Sequence, residues 1–157
     1  MFDPSAQQWK LLAAMAHGRW YPTLVNLGDG RVLAASGLLE ANGATNPDLE
    51  IYSPGTDSWK LLHAPHGFPA LALYAHLFLM ADGRIFFSGG RMDDASPLGP
   101  CLVDATRDPF QVVPIHGLAD PASRNQSASV LAPPGWYMLF LVDDGGVPSV
   151  AAWVRLA

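Results

Sequence analysis

Tyr52-Ser53-Pro54-Gly55-Thr56-Asp57-Ser58-Trp59-Lys60-Leu61-Leu62 restates, 50 residues later, Phe2-Asp3-Pro4-Ser5-Ala6-Gln7-Gln8-Trp9-Lys10-Leu11-Leu12. The aromatic residue, the proline and the tryptophan all keep that offset. Each copy is followed by an Asp-Gly-Arg turn that opens an apolar run. These are Asp29-Gly30-Arg31-Val32-Leu33, ending at Ser36-Gly37, and Asp82-Gly83-Arg84-Ile85-Phe86, ending at Ser88-Gly89-Gly90. A period near 50 with such turns predicts repeated β units, each unable to bury its apolar faces alone.

Composition agrees with many short strands. The 157 residues are half apolar and 15% charged, so a core is within reach and disorder is not expected. Fifteen Gly and fourteen Pro cut the chain into short pieces. The net charge of −5 comes with no basic cluster, which argues against a nucleic-acid or anionic-membrane surface. No apolar run reaches the ~18 residues of a membrane helix. Met1-Phe2-Asp3-Pro4 has neither the basic nor the apolar part of a signal peptide, so localisation stays open. Cys101 is the single cysteine, so no disulfide forms within the chain.

The period predicts Kelch-type β-propeller blades. Strands are expected at Phe2 to Trp9, with a Pro-containing turn, and over Trp20 to Leu27, Arg31 to Ser36, Leu49 to Tyr52 and Trp59 to Leu62. A hairpin turn falls at Gly28-Asp29-Gly30. Leu38 to Asp48 reads as a loop, and Ala13 to Gly18 as the one stretch with mild helical propensity. The pattern restarts over Leu71 to Met80 and Arg84 to Ser88, with weaker strands at Cys101 to Asp104 and Phe110 to Ile115. Ser127 to Leu131 reads as the opening strand of a third blade. Beyond about residue 132 the style changes. Trp136 to Val142, the turn Asp143-Asp144-Gly145-Gly146 and Val147 to Leu156 form a hairpin with no blade repeat. The expected fold is therefore all-β: a partial Kelch-type propeller of about two blades over 1–132, then a terminal β-hairpin over 133–157.

Several segments carry a resemblance. Gly18-Arg19-Trp20-Tyr21-Pro22-Thr23 with Asp29-Gly30-Arg31-Val32-Leu33 resembles a blade of the galactose oxidase and glyoxal oxidase family of copper-radical oxidases. Leu77 to Phe86 resembles the next blade, and Ser123 to Leu131 the one after. Pro133-Pro134-Gly135-Trp136-Tyr137-Met138-Leu139-Phe140, with Gly146-Val147-Pro148-Ser149-Val150, is similar to the closing hairpin of the family's C-terminal immunoglobulin-like domain. The resemblance implies oxidation of primary alcohols or aldehydes by O2, giving H2O2, and a carbohydrate or aldehyde substrate. It implies one copper held by two tyrosines and two histidines, with one tyrosine crosslinked to cysteine as the radical store. Alcohol oxidation moves two electrons and copper cycles by one, so a side-chain radical supplies the other. Family members are often secreted.

Carried over residue by residue, the resemblance places Tyr21 at the radical tyrosine, as catalytic residue and metal ligand. Cys101 falls in a different blade and is not assigned to the crosslink. The remaining copper ligands have no matching residues, so this chain is expected to bind no copper and to lack the family activity. The change of style near Ala132-Pro133-Pro134 suggests an internally deleted fragment of such an oxidase, a reading that sequencing the flanking DNA tests. Open blade faces and edges predict self-association. The alternatives are a small Kelch-type binding module, working through loops such as Leu38 to Asp48, or a chain completed by a partner carrying the missing blades.

Plainer roles stand beside each candidate. Tyr21 also suits a blade aromatic without redox work. His63 and His66 have H-x-x-H spacing but no carboxylate near them in sequence. His76 suits packing or a loop hydrogen bond. His17 and His116 suit turns, as do Asp93-Asp94 and Asp143-Asp144. Trp9 and Trp59 suit core or inter-blade packing, and Asp57 and Arg91 suit a surface without partners.

Overall fold

The structure is a computed structural model that describes residues 1–90, 98–115, 135–139, 150 and 152–156. The described residues form strands and loops with no helix, so the all-β expectation holds. Two four-stranded antiparallel sheets make up most of the fold. The first joins β4 (Thr23–Asn26), β5 (Val32–Ala35), β7 (Leu49–Ser53) and β8 (Ser58–Leu62) in that order. The second joins β9 (His76–Leu79), β10 (Ile85–Gly89), β11 (Cys101–Asp104) and β12 (Gln111–Pro114). Neither sheet closes on itself. Three two-stranded pairs accompany them: β1 (Phe2–Asp3) with β2 (Gln8–Trp9), β3 (Arg19–Trp20) with β6 (Leu38–Leu39), and β13 (Gly135–Leu139) with β14 (Ala152–Leu156).

The repeat seen in the sequence recurs as geometry. Phe2 pairs with Trp9 and Tyr52 with Trp59, with ring centroids 5.3 Å and 5.1 Å apart. The turn residues Gln7 and Asp57 both take the left-handed conformation, at φ 50° and 45°. The two Asp-Gly-Arg turns match as well. The Asp29 and Asp82 carboxylates accept the backbone N–H of Arg31 and Arg84 at 3.1 and 3.0 Å, and the Arg Nε of the same residues at 2.8 Å. Gly30 and Gly83 turn at φ 84° and 87°, a conformation that costs other residues about 1–2 kcal/mol.

Alternation along the strands sets the core. Val25, Leu33, Leu49, Ile51 and Leu62 lie on one face of the first sheet. They share one buried cluster with Ile85, Phe87, Cys101, Val103 and Phe110 of the second sheet and its adjoining loop. Across the joint, Thr23 Oγ1 donates to Ala75 O at 2.9 Å, and Ser36 Oγ donates to Leu71 O and Ala72 O at 3.0 and 2.8 Å.

Gly37 and Gly90 occupy matching positions. A Cβ on Gly37 would meet Trp20 O at 3.0 Å and Arg19 Cβ at 3.1 Å. One on Gly90 would meet Leu73 O and Ala72 Cβ, both at 2.7 Å. Gly37 also has φ 87°, so Gly37→Ala adds a steric conflict with backbone to left-handed strain. Gly30→Ala meets the strain alone, since its Cβ faces open space. We expect Gly30→Ala to cost about 1–2 kcal/mol and Gly37→Ala to cost clearly more in urea unfolding. Equal midpoints for the two variants would refute the steric part.

Four expectations are corrected. Ala13 to Gly18 is not helical: its backbone bonds outward, with Ala13 N–H to Asp57 Oδ1 at 3.0 Å and Ala16 N–H to Glu50 Oε2 at 2.6 Å. The strand expected over Trp20 to Leu27 breaks at Tyr21, where φ is 58°. Leu38 to Asp48 is not wholly loop, because β6 folds back to pair with β3. The strand expected from Leu71 begins only at His76, because Ala70 and Tyr74 take positive φ. The terminal hairpin pairs Gly135 with Leu156 through to Leu139 with Ala152. Its turn at Asp143 to Gly146, the strand expected at Ser127 to Leu131, and His116, Asp93, Asp94 and Arg91 lie outside the described residues.

Candidate functional site

Tyr21 sits at the kink between β3 and β4, on a base fixed by a buried ion pair. Arg19 Nη2 lies 2.9 Å from Glu50 Oε1, and neither side chain is exposed. The Arg19 fork is nearly filled: Nε reaches Glu50 Oε1 at 3.3 Å, and Nη1 donates to Ser36 O and Asp48 O at 3.0 and 3.1 Å. Glu50 in turn takes the Ala16 N–H. A buried pair needs this degree of hydrogen bonding to offset its desolvation. The result ties β3, β7, Ser36 just after β5, Asp48 and Ala16 to one point, two residues from Tyr21 in the chain.

Around Tyr21 the aromatics gather at the surface. Tyr21 is 48% exposed and Trp20 64%. The Tyr21 ring lies 5.5 Å from Trp20 and 5.1 Å from Tyr74, between centroids. Tyr74 is the counterpart of Tyr21 at the 53-residue offset of the Asp-Gly-Arg turns, and it shares the left-handed backbone, at φ 52°. The sequence reading passed over Tyr74 and Glu50. Extending that offset from the turns to Tyr21 would have found the first. Glu50 carries no local signal, because its partner lies 31 residues away.

Two aspartates latch successive units. Asp57 accepts the Ala13 N–H at 3.0 Å and the Tyr52 hydroxyl at 2.9 Å. Asp108 accepts the His63 N–H at 2.8 Å, and Ala13 and His63 are themselves 50 residues apart. The backbone bond from Ala13, followed by the Tyr52 hydroxyl, holds the Asp57 carboxyl below the usual range. The His63 amide does the same for Asp108, with the His63 ring assisting. Asp57 is therefore no unpartnered surface residue, and His63 does have a carboxylate, its Nδ1 lying 3.1 Å from Asp108 Oδ1. A depressed folded pKa adds stability above the unfolded value of 3.8, which is lost as pH falls through the folded value. Between about pH 6 and pH 3, the wild-type urea midpoint should fall further than that of Asp57→Asn. Parallel falls would discard the latch.

Trp59 serves the same joint, donating Nε1–H to Ala13 O at 2.9 Å. Trp9 does not: it is 81% exposed, since among the described residues no chain bonds its ring nitrogen as Ala13 does that of Trp59. His76 opens β9 with Nδ1 buried and without a hydrogen-bond partner among the described residues. His17 lies in a bend.

The donor set does not fit the copper that the resemblance implies. Among the described residues no three His, Cys, Asp or Glu side chains converge, and the rings beside Tyr21 are Trp20 and Tyr74. Cys101 is fully buried in the second sheet, and burial pushes its thiol up to about 12. We expect a disulfide reagent at about pH 8 to label Cys101 only in urea, since the thiolate is the reactive form. Rapid labelling of the native chain would contradict its burial.

These features define an all-β chain of repeated antiparallel sheets with a terminal hairpin. Residues 122–156 match the family described as galactose oxidase-like, Early set domain, so the resemblance to that family is borne out where the hairpin lies. No curated protein matches the chain. A solved structure titled "Novel fungal alcohol oxidase with catalytic diversity among the AA5 family, in complex with copper" is 16% identical, at a TM-score of 0.40. That match covers 92% of this chain and 44% of the other, so the chain spans under half that protein's length.

Proposed function

We propose that the chain is a non-catalytic part of a galactose oxidase-like copper-radical oxidase, comprising about two blades of a Kelch-type propeller and the closing hairpin of its immunoglobulin-like domain. The observation that carries this reading is the setting of Tyr21. The resemblance assigns it to the radical tyrosine, yet it stands exposed beside the rings of Trp20 and Tyr74, while Cys101 is buried in the second sheet. The match of residues 122–156 supports the family, and the geometric repeat at offsets of 50 and 53 supports the blades. Open sheet edges favour self-association. The purified chain, supplied with copper and offered primary alcohols and aldehydes, should release no H2O2 above a copper blank. Copper-dependent turnover that Tyr21→Phe abolishes would overturn the reading.

A second reading is a binding module, and it is favoured by the exposed Trp20, Tyr21 and Tyr74 surface. A saturable partner whose binding is lost in Tyr21→Ala, with no redox signal, would select it.

A further inference from the structure

Asn42-Gly43 lies in the loop between β6 and β7, where residues 40–44 are exposed. Backbone bonds close that loop. Leu39 N–H donates to Ala44 O at 2.8 Å, Gly43 N–H to Leu39 O at 3.0 Å, and Asn46 N–H to Gly37 O at 2.8 Å. Leu38 also bridges to Thr45. These bonds keep β6 in register, and β6 pairs with Arg19 and Trp20 of β3, next to Tyr21.

The Asn42 side chain is set for attack by its own main chain. Its Oδ1 accepts the Ala44 N–H at 2.9 Å. That bond draws electron density from Cγ and stabilises the negative charge that grows on Oδ1 under nucleophilic attack. The nucleophile is the Gly43 nitrogen, next along the chain. Gly43 sits at φ 68°, and nothing lies within 4 Å of where a Cβ would stand. No side chain therefore hinders the approach. The Gly43 N–H is freed when its bond to Leu39 O opens, and an exposed loop opens at small cost.

No other pair among the described residues combines these features. Asn26 precedes Leu27, whose side chain crowds its nitrogen. Asn46 is buried and precedes Pro47, whose nitrogen has no proton to give. Asp29-Gly30 and Asp82-Gly83 supply the glycine, but Arg31 and Arg84 hold their carboxylates ionised, and an ionised carboxylate resists attack.

We propose that Asn42 is a self-modification site: it cyclises onto the Gly43 nitrogen, opens to aspartate and isoaspartate, and in the isoaspartyl form releases β6 from its register. The bond from Gly43 N to Asn42 Cγ forms as the Cγ–Nδ2 bond breaks, and the Gly43 proton leaves with Nδ2 as ammonia. Water then opens the cyclic imide. Addition at Cγ gives aspartate. Addition at the Asn42 backbone carbonyl carbon breaks its bond to Gly43 N and routes the main chain through Cγ. Nothing is oxidised or reduced, and water is the sole co-reactant. The second product inserts a methylene into the main chain between Leu39 and Ala44, so their bond cannot keep its geometry. Neither copper nor the number of blades enters this chemistry.

The test ages the full chain in mildly alkaline buffer and maps its peptides by mass. The peptide holding Asn42 should gain about 1 Da and become a substrate for an isoaspartyl methyltransferase. The peptides holding Asn26 and the two Asp-Gly turns should stay unchanged. Asn42→Gln should also stay unchanged, because its cyclic imide is larger and forms far more slowly. In the isoaspartyl form, separated by anion exchange, hydrogen exchange at the Leu39 amide should quicken about fivefold, the worth of one hydrogen bond. The proposal is overturned by an unchanged Asn42 where a synthetic peptide of residues 38–46 reacts, or by equal conversion at Asn26. Aspartate without isoaspartate would overturn it too, since that marks direct hydrolysis, as would an isoaspartyl form whose Leu39 amide exchanges as before.

Discussion

Replacing Glu50 should be among the most damaging single changes to this fold. Glu50→Gln keeps the shape but leaves the Arg19 guanidinium charged, buried and without its counter-ion. Loss of one partner of a buried pair costs about 3–5 kcal/mol, which in a domain of ordinary stability is a large part of the total. Urea unfolding followed by tryptophan fluorescence reads this directly. A double variant, Arg19→Met with Glu50→Leu, separates charge from packing. Apolar replacement of a whole buried pair is often neutral. Here it should recover only part of the loss, because Ser36 O, Asp48 O and the Ala16 N–H lose their partners too. A Glu50→Gln chain as stable as wild type would mean that water reaches Arg19.

Phe110→Ala should come close in effect. Phe110 is fully buried, meets Phe68 edge-to-face at 5.3 Å, and belongs to the cluster shared by both sheets. Its backbone N–H donates to His63 O at 3.2 Å, so the ring sits where the second sheet grips the end of β8. Phe→Ala in a core costs about 3–5 kcal/mol, while Phe110→Leu, which keeps most of the volume, should cost about 1.5 kcal/mol or less. The size of the step between the two variants reports how far the joint can collapse. If both cost the same small amount, the two sheets do not share one core.

The repeat carried much of the fold in legible form. Its aromatic and tryptophan positions are adjacent across strands in both copies, and its Asp-Gly-Arg turns bond internally in the same way. Such features are local, so they leave marks a few residues apart. The kink at Tyr21, the return of Leu38–Leu39 to β3 and the Arg19–Glu50 pair were not legible. The last two depend on residues from 18 to 31 positions away, and strand propensity in Trp20 to Leu27 gives no hint of a left-handed break. At the candidate site, Tyr21 could be named from its neighbours in sequence. That its ring meets Tyr74 could be read only by carrying the offset of one motif over to another.

The aspartate latches have a consequence for how such a chain changes over generations. Asp57 takes the backbone that follows one outer hairpin, and Asp108 takes the backbone that follows the next. Both joints among the described residues therefore have the same donor side and the same acceptor side, like links cast from one mould. A recombination event that removes or adds a whole link rejoins matching halves and leaves the surviving joints chemically unaltered. An event that cuts within a link leaves one half without its mate. Whole units are thus the natural currency of gain and loss in this architecture.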